Sequence, residues 1–160
     1  MVKNSKNLFI KFIFFVSIIA LVFAFFIEYI LGHQPCNLCI LERIPYLLAI
    51  IIILLNFKFS HYEKFFILLL SIIFLAGAII SLYHLGIEQG FIQESLVCDL
   101  KSGSNLLSKE EILKQLQEKN VSCKDVTFKI FGLSLTSYNI LISLLITVST
   151  GKIYFNYEKN

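Results

Sequence analysis

Charge is scarce in this chain. Charged residues make up 16% of its 160 residues, against roughly 25% in soluble proteins. Hydrophobic residues reach 57% and the mean hydropathy is +0.78, which excludes an ordinary soluble domain and points to membrane spans. There is no Trp and there are only two Pro, against 16 Phe and many Ile and Leu, so the core is largely lipid-facing side chain. The net charge of +3 is too small to argue for nucleic acid. No Ala-x-Ala-like cleavage site follows the first apolar run, which is also too long for a signal peptide. It is expected to be retained as a span. No internal repeat or low-complexity tract is visible, and the length allows one domain.

Four apolar segments are present, and the expected fold class is all-α: an integral membrane four-helix bundle. The spans are placed at about 8–30, 38–57, 65–87 and 130–151. Lys11 and Glu28 lie near the two ends of the first, where they can snorkel to the interfaces. The second apolar run, 44–57, is short for a span of about 20 residues. It reaches that length if its helix begins near Cys36, which places Pro45 inside the helix with a kink expected there. The third carries Gly77 and Ser81, small residues that permit close packing, and His84 near its far end. Between spans three and four, a loop at about 88–129 is polar. Ser108-Lys-Glu-Glu111 within it reads as a capping box, with Leu107 and Ile112 as a hydrophobic staple. A short amphipathic helix over 109–119 is expected there, resting on the membrane surface.

Orientation follows from the Lys/Arg distribution. The N-terminus, the 56–64 turn and the C-terminal tail carry seven lysines against Glu63 and Glu158. The opposite side carries as many basic residues, but diluted along the loop and balanced by acids. The short basic segments are expected to be cytoplasmic. All four cysteines then face the compartment where disulfides form and persist.

Those cysteines fall into a local pair, Cys36 and Cys39, and a distant pair, Cys98 and Cys123. On one continuous helix, Cys36, Cys39 and Arg43 at i, i+3 and i+7 share a face. The thiolate is the reactive species, and both the helix N-terminus and Arg43 place positive charge beside it. A lone Cys-x-x-Cys is weakly specific, and a structural disulfide or half of a zinc site stands against the redox reading. A structural zinc site using all four cysteines departs from the usual double Cys-x-x-Cys spacing. Glu42 reads as a solvated interface charge or a partner to a nearby lysine, His84 as either packed or functional, and the role of Glu88 is open.

The block Gln34-Pro-Cys-Asn-Leu-Cys-Ile-Leu-Glu-Arg43, followed by Pro45-Tyr46, resembles the signature of the DsbB family of disulfide bond formation proteins. The resemblance continues through Ala76-Gly77, Tyr83-His84-Leu-Gly86-Ile-Glu88-Gln-Gly90, Cys123-Lys-Asp-Val, Phe131-Gly-Leu-Ser134 and Asn139. It implies a membrane disulfide oxidoreductase that re-oxidises a soluble periplasmic DsbA-like thioredoxin-fold protein. The electrons pass to the membrane quinone pool (ubiquinone or menaquinone), since re-oxidising so strong an oxidant needs a sink at still higher potential. It further implies a loop disulfide Cys98–Cys123, with Cys98 the mixed-disulfide position and Cys123 exchanging with Cys36. Cys39 would then be the sulfur beside the quinone, contacted by Arg43 and with His84 near it. The implied location is a bacterial inner membrane, termini cytoplasmic and both cysteine pairs periplasmic. The vitamin K epoxide reductase-like group would require the loop cysteines to precede the Cys-x-x-Cys pair, whereas here they follow it. A non-catalytic membrane subunit with two structural disulfides is the remaining alternative.

Overall fold

In the computed structural model the described residues are 2–93, 122–124 and 129–157. Helix α1 is Val2–Tyr29, α2 is Asn37–Leu41, α3 is Ile44–Lys58 and α4 is Glu63–Glu88, with a 3₁₀ turn at Ser60–Tyr62 before α4. A small hairpin, β1 at Lys129–Ile130 and β2 at Leu133–Ser134, leads into α5, Leu135–Tyr157. Cys98 and the segment expected to form a helix over 109–119, with its capping box and staple, lie outside the described residues.

Helix is the form an apolar segment takes in a bilayer, because only a helix or a closed barrel satisfies every backbone group without water. The stretches Asn7–Tyr29, Asn37–Lys58, Glu63–Glu88 and Leu135–Asn156 are each long and apolar enough to cross. At about 1.5 Å per residue they exceed the roughly 30 Å hydrocarbon core. The protein is an integral membrane protein of four spans. Because one face of each helix meets lipid and the other meets protein, both faces are apolar. Phe12 and Phe15 of α1 and Leu145 and Val148 of α5 are exposed on the outer face. Inside, Ile10, Ile13, Tyr46, Ala49, Ile53, Leu70, Phe74 and Ile146 form one buried cluster.

The second span departs from the expected single helix. Residues Glu42 and Arg43 form a turn between α2 and α3, and Pro45 stands in the first turn of α3. Proline has no N–H to give to the carbonyl of residue 41, so the helix restarts there instead of running through with a kink. The Arg43 N–H donates to the Ile40 carbonyl at 3.1 Å, and the Arg43 carbonyl accepts from the Leu47 N–H at 3.2 Å to begin the new helix. Cys36, Cys39 and Arg43 therefore do not share one continuous helix face. The fourth helix begins at Leu135, five residues after the expected 130. The reason is the turn at Phe131 (φ 51°) and Gly132 (φ 82°): consecutive positive φ angles suit a two-residue hairpin turn and cannot occur in a right-handed helix.

α1 packs on α3, α3 on α4 and α4 on α5. The approach of α3 to α4 depends on Gly77, where an added Cβ would stand 3.0 Å from Pro45 Cγ. Between α1 and α5, which do not pack along one another among the described residues, a cavity of about 440 Å³ opens. One end of it carries the chemistry.

Candidate functional site

The local cysteine pair forms a disulfide, Cys36–Cys39, with Cα atoms 5.1 Å apart. Cys36 has extended backbone and caps α2 from outside, its Sγ accepting the Cys39 backbone N–H at 3.1 Å. Cys36 is buried, while Cys39 is half-buried and lines the cavity. Cys123 is also disulfide-bonded. It packs with Cys36, Leu38 and Ile87 in a single buried cluster. The structure thus brings together cysteines 87 residues apart in sequence, one from each pair.

His84, on the last turns of α4, is 2% exposed, so it is a buried residue and not a hydrated interfacial one. Its Nε2 lies 3.5 Å from Cys36 Sγ. Its Nδ1 faces Glu42 Oε1 at 2.7 Å, with Thr136 Oγ1 at 3.2 Å. A carboxylate accepts only, so Nδ1 carries a proton toward Glu42, and Nε2 is the ring nitrogen that faces sulfur.

Glu42 overturns the expectation of a solvated charge. It is 8% exposed and pairs with no lysine among the described residues; its second oxygen, Oε2, accepts from Asn139 Nδ2 at 3.0 Å. The turn between α2 and α3 is what aims it inward. Asn139 of α5 uses all its hydrogen-bonding capacity, three bonds reaching other elements and one staying within α5. Its Nδ2 also donates to Ser81 Oγ at 2.7 Å, and its Oδ1 accepts from Tyr46 OH and from Ser143 Oγ. Glu88, one turn beyond His84, accepts from Thr136 Oγ1 at 2.7 Å through Oε1. Its Oε2 is buried and has no hydrogen-bond partner.

Arg43 points the other way, toward α1. Its Nη1 donates to Glu28 Oε2, and its guanidinium sits 5.2 Å from the centre of the Phe25 ring. Glu28 therefore does not snorkel; it holds Arg43 at the cavity wall. Across the cavity, α1 contributes Ile19, Ala20, Phe23 and Ala24, and α5 contributes Leu135, Tyr138 and Ile142. The arrangement is an apolar slot closed at one end by a disulfide, a guanidinium, an imidazole and two carboxylates. Chemically, it can exchange a disulfide with a neighbouring thiol and carry away protons in a site shielded from bulk water.

Cys36, Cys39, Cys123, Arg43 and His84 all line this one cavity, as singled out from sequence. Sequence reasoning missed Glu42, Thr136 and Asn139 as members, and Glu28 as the partner that holds Arg43. For Asn139 a signal existed, since it stands in one of the motif blocks; for Glu28 there was only its place near the end of a span.

The sequence profile described as disulfide bond formation protein DsbB matches residues 6–152. A protein of Rickettsia prowazekii (strain Madrid E), itself described as uncharacterized, is 35% identical over 150 residues, covering 91% of this chain and 86% of that relative. The four spans, the Cys-x-x-Cys disulfide in the membrane-edge turn and a profile match over nearly the whole chain have one reading: this chain belongs to the DsbB family, the membrane thiol oxidoreductases of disulfide bond formation.

Proposed function

We propose that the protein re-oxidises a soluble periplasmic DsbA-like thioredoxin-fold protein and delivers the electrons to a membrane quinone. The observation that carries this reading is the packing of Cys123 against Cys36, with Cys39 turned to an apolar cavity open between two membrane helices. In this reading the loop disulfide hands its oxidising power to the membrane-edge disulfide there.

The exchange runs as follows. A thiolate of the reduced partner attacks Cys98 of a Cys98–Cys123 disulfide, breaking the S–S bond and releasing Cys123 as thiolate. The partner's second thiolate resolves that mixed disulfide and frees Cys98, so the partner leaves oxidised. Cys123 then attacks Cys36, breaking Cys36–Cys39 and releasing Cys39 as thiolate. Cys98 attacks Cys123 in turn, restoring the loop disulfide and leaving Cys36 and Cys39 as the reduced pair. Two electrons have moved from partner to membrane edge.

The cavity fits a quinone: an apolar slot that takes up a ring and an isoprenoid tail, with polar groups only at the cysteine end. Arg43 and His84 are the residues that would hold the ring oxygens, and Ile19, Phe23 and Ile142 the apolar parts. When bound, ubiquinone or menaquinone supplies a sink for two electrons and two protons. The residues' own part is electrostatic and positional. Arg43 sets a fixed positive charge beside the cavity, opposed by Glu28 so that it cannot swing away. His84, oriented by Glu42, accepts or returns the Cys36 proton at Nε2. Both termini are cytoplasmic in this reading, and both cysteine pairs face the periplasm of a bacterial inner membrane.

Purified protein supplied with a reduced thioredoxin-fold dithiol is expected to reduce quinone catalytically, and Cys39→Ser is expected to lower that rate at least a thousandfold. An undiminished rate in the variant would remove Cys39 from the relay.

A further inference from the structure

We propose that the site is also a redox-gated metal site. In the dithiol state, Cys36, Cys39 and His84 form a three-ligand seat for a borderline divalent cation, of which Zn²⁺ fits best, and the ion locks the pair in its reduced form.

The three ligand residues are already grouped in the disulfide state, and reduction has only to part the two bonded sulfurs. The two sulfurs and a His84 ring nitrogen lie within 4.8 Å of one another. Cys36 Sγ and His84 Nε2 stand 3.5 Å apart. Tetrahedral Zn²⁺, with Zn–S about 2.3 Å and Zn–N about 2.0–2.1 Å, sets a sulfur and a nitrogen ligand about 3.5 Å apart. A Cys₂His set with the fourth position open is a known zinc arrangement. Two thiolates and an imidazole favour zinc-like ions over Mg²⁺ or Ca²⁺, which take oxygen ligands.

Two further observations mark the site as built for an ion. The Nδ1–H of His84 is held by Glu42 Oε1 at 2.7 Å, which is the carboxylate–histidine pairing that orients metal-binding imidazoles. Glu42 is fixed in turn by Asn139 at 3.0 Å. For the fourth position, Glu88 Oε1 lies 3.8 Å from His84 Nε2, and the other oxygen of the same carboxylate is buried without a partner. Water is the other candidate for it.

The gating follows from the chemistry. A disulfide sulfur is a poor ligand, so the oxidised protein has no site. Reduction by a dithiol delivers two electrons and, with two protons, opens Cys36–Cys39 to two thiols. Binding M²⁺ displaces those two protons and leaves a bis-thiolate complex. Neither sulfur is then free to be re-oxidised, and the relay stops until the ion is removed.

The inference rests on the proposed relay in one respect, that this disulfide opens. The test uses Co²⁺ as a spectroscopic stand-in for Zn²⁺ on the full chain in detergent. Cys98 and Cys123 are replaced by Ser so that only the membrane-edge pair can bind. The protein is reduced with a phosphine under argon and its thiols are counted by alkylation. With two free thiols, one equivalent of Co²⁺ should give tetrahedral d–d bands with thiolate charge transfer, and the oxidised sample should give none. Zn²⁺ should bleach the bands stoichiometrically. Cys39→Ser and His84→Ala should each weaken binding at least tenfold, and Glu42→Gln, which leaves every ligand in place, about 10–100-fold. The oxidised-versus-reduced comparison needs no change at a ligand and stands even if His84→Ala does not fold. Two free thiols without these bands, or bands indifferent to His84→Ala in folded protein, would overturn the site and leave the relay standing. A disulfide that no reductant opens would overturn both.

Discussion

Both oxygens of Glu42 are occupied, one by His84 and the other by Asn139, and Asn139 ties that pair to Tyr46 and Ser81. A buried carboxylate is tolerated when its lone pairs are met by donors, and becomes costly when one donor is removed. Asn139→Ala should therefore cost about 1–3 kcal/mol of stability, read as loss of midpoint in denaturant unfolding from detergent. It should also slow disulfide exchange at Cys36, because the imidazole loses its fixed orientation. A variant as stable and as active as the parent would dismiss the hub. At this scale Cys36, Cys39, Cys123, Arg43 and His84 could be singled out, and they do line one cavity, because each has chemistry of its own or sits in a motif. Glu42 was misread: beside a Cys-x-x-Cys at a membrane edge, a charge looks solvated unless one knows that the chain turns there and carries it inward.

That turn belongs to the scale of elements. Pro45 ends the possibility of a continuous helix, so α2 is a five-residue piece and α3 begins afresh at Ile44. The break frees Glu42 to face α4 and α5 while Arg43 faces α1. Gly77 lets Pro45 seat against α4, with 3.0 Å between Pro45 Cγ and the place a Cβ would take. Gly77→Leu should push α3 off α4, at a cost of about 1–3 kcal/mol for overpacking, seen as a lowered thermal midpoint with faster proteolysis. An unchanged midpoint would show that the two helices do not need this contact. The spacing of apolar runs made all four helices legible, because a span needs length and little else. Their internal breaks were less so: the proline was read as a kink, and Phe131-Gly132 at the edge of the fourth run was read as helix. An apolar residue such as Phe131 hides a turn that only its positive φ reveals.

For the whole molecule, the decisive feature is that, among the described residues, α1 packs on α3, α3 on α4 and α4 on α5, while the cavity lies between α1 and α5. The cavity between them has mostly apolar walls and reaches the Cys36–Cys39 disulfide at one end. No span-by-span reading could find it, since it depends on how the helices are arranged around one another. The site's working parts come from α1, the α2–α3 turn, α4, the segment at Cys123 and α5, and they converge only once the bundle has formed. The central claim is that Cys36–Cys39 is a station in an electron path that ends in the membrane, and not a structural staple. The direct test is to quench cells with acid, alkylate all thiols, and determine the redox state of Cys36 and Cys39 with and without quinone. In quinone-replete cells the pair should be oxidised, and in quinone-depleted cells it should accumulate as two free thiols. A pair that stays fully oxidised when quinone is absent would contradict the account.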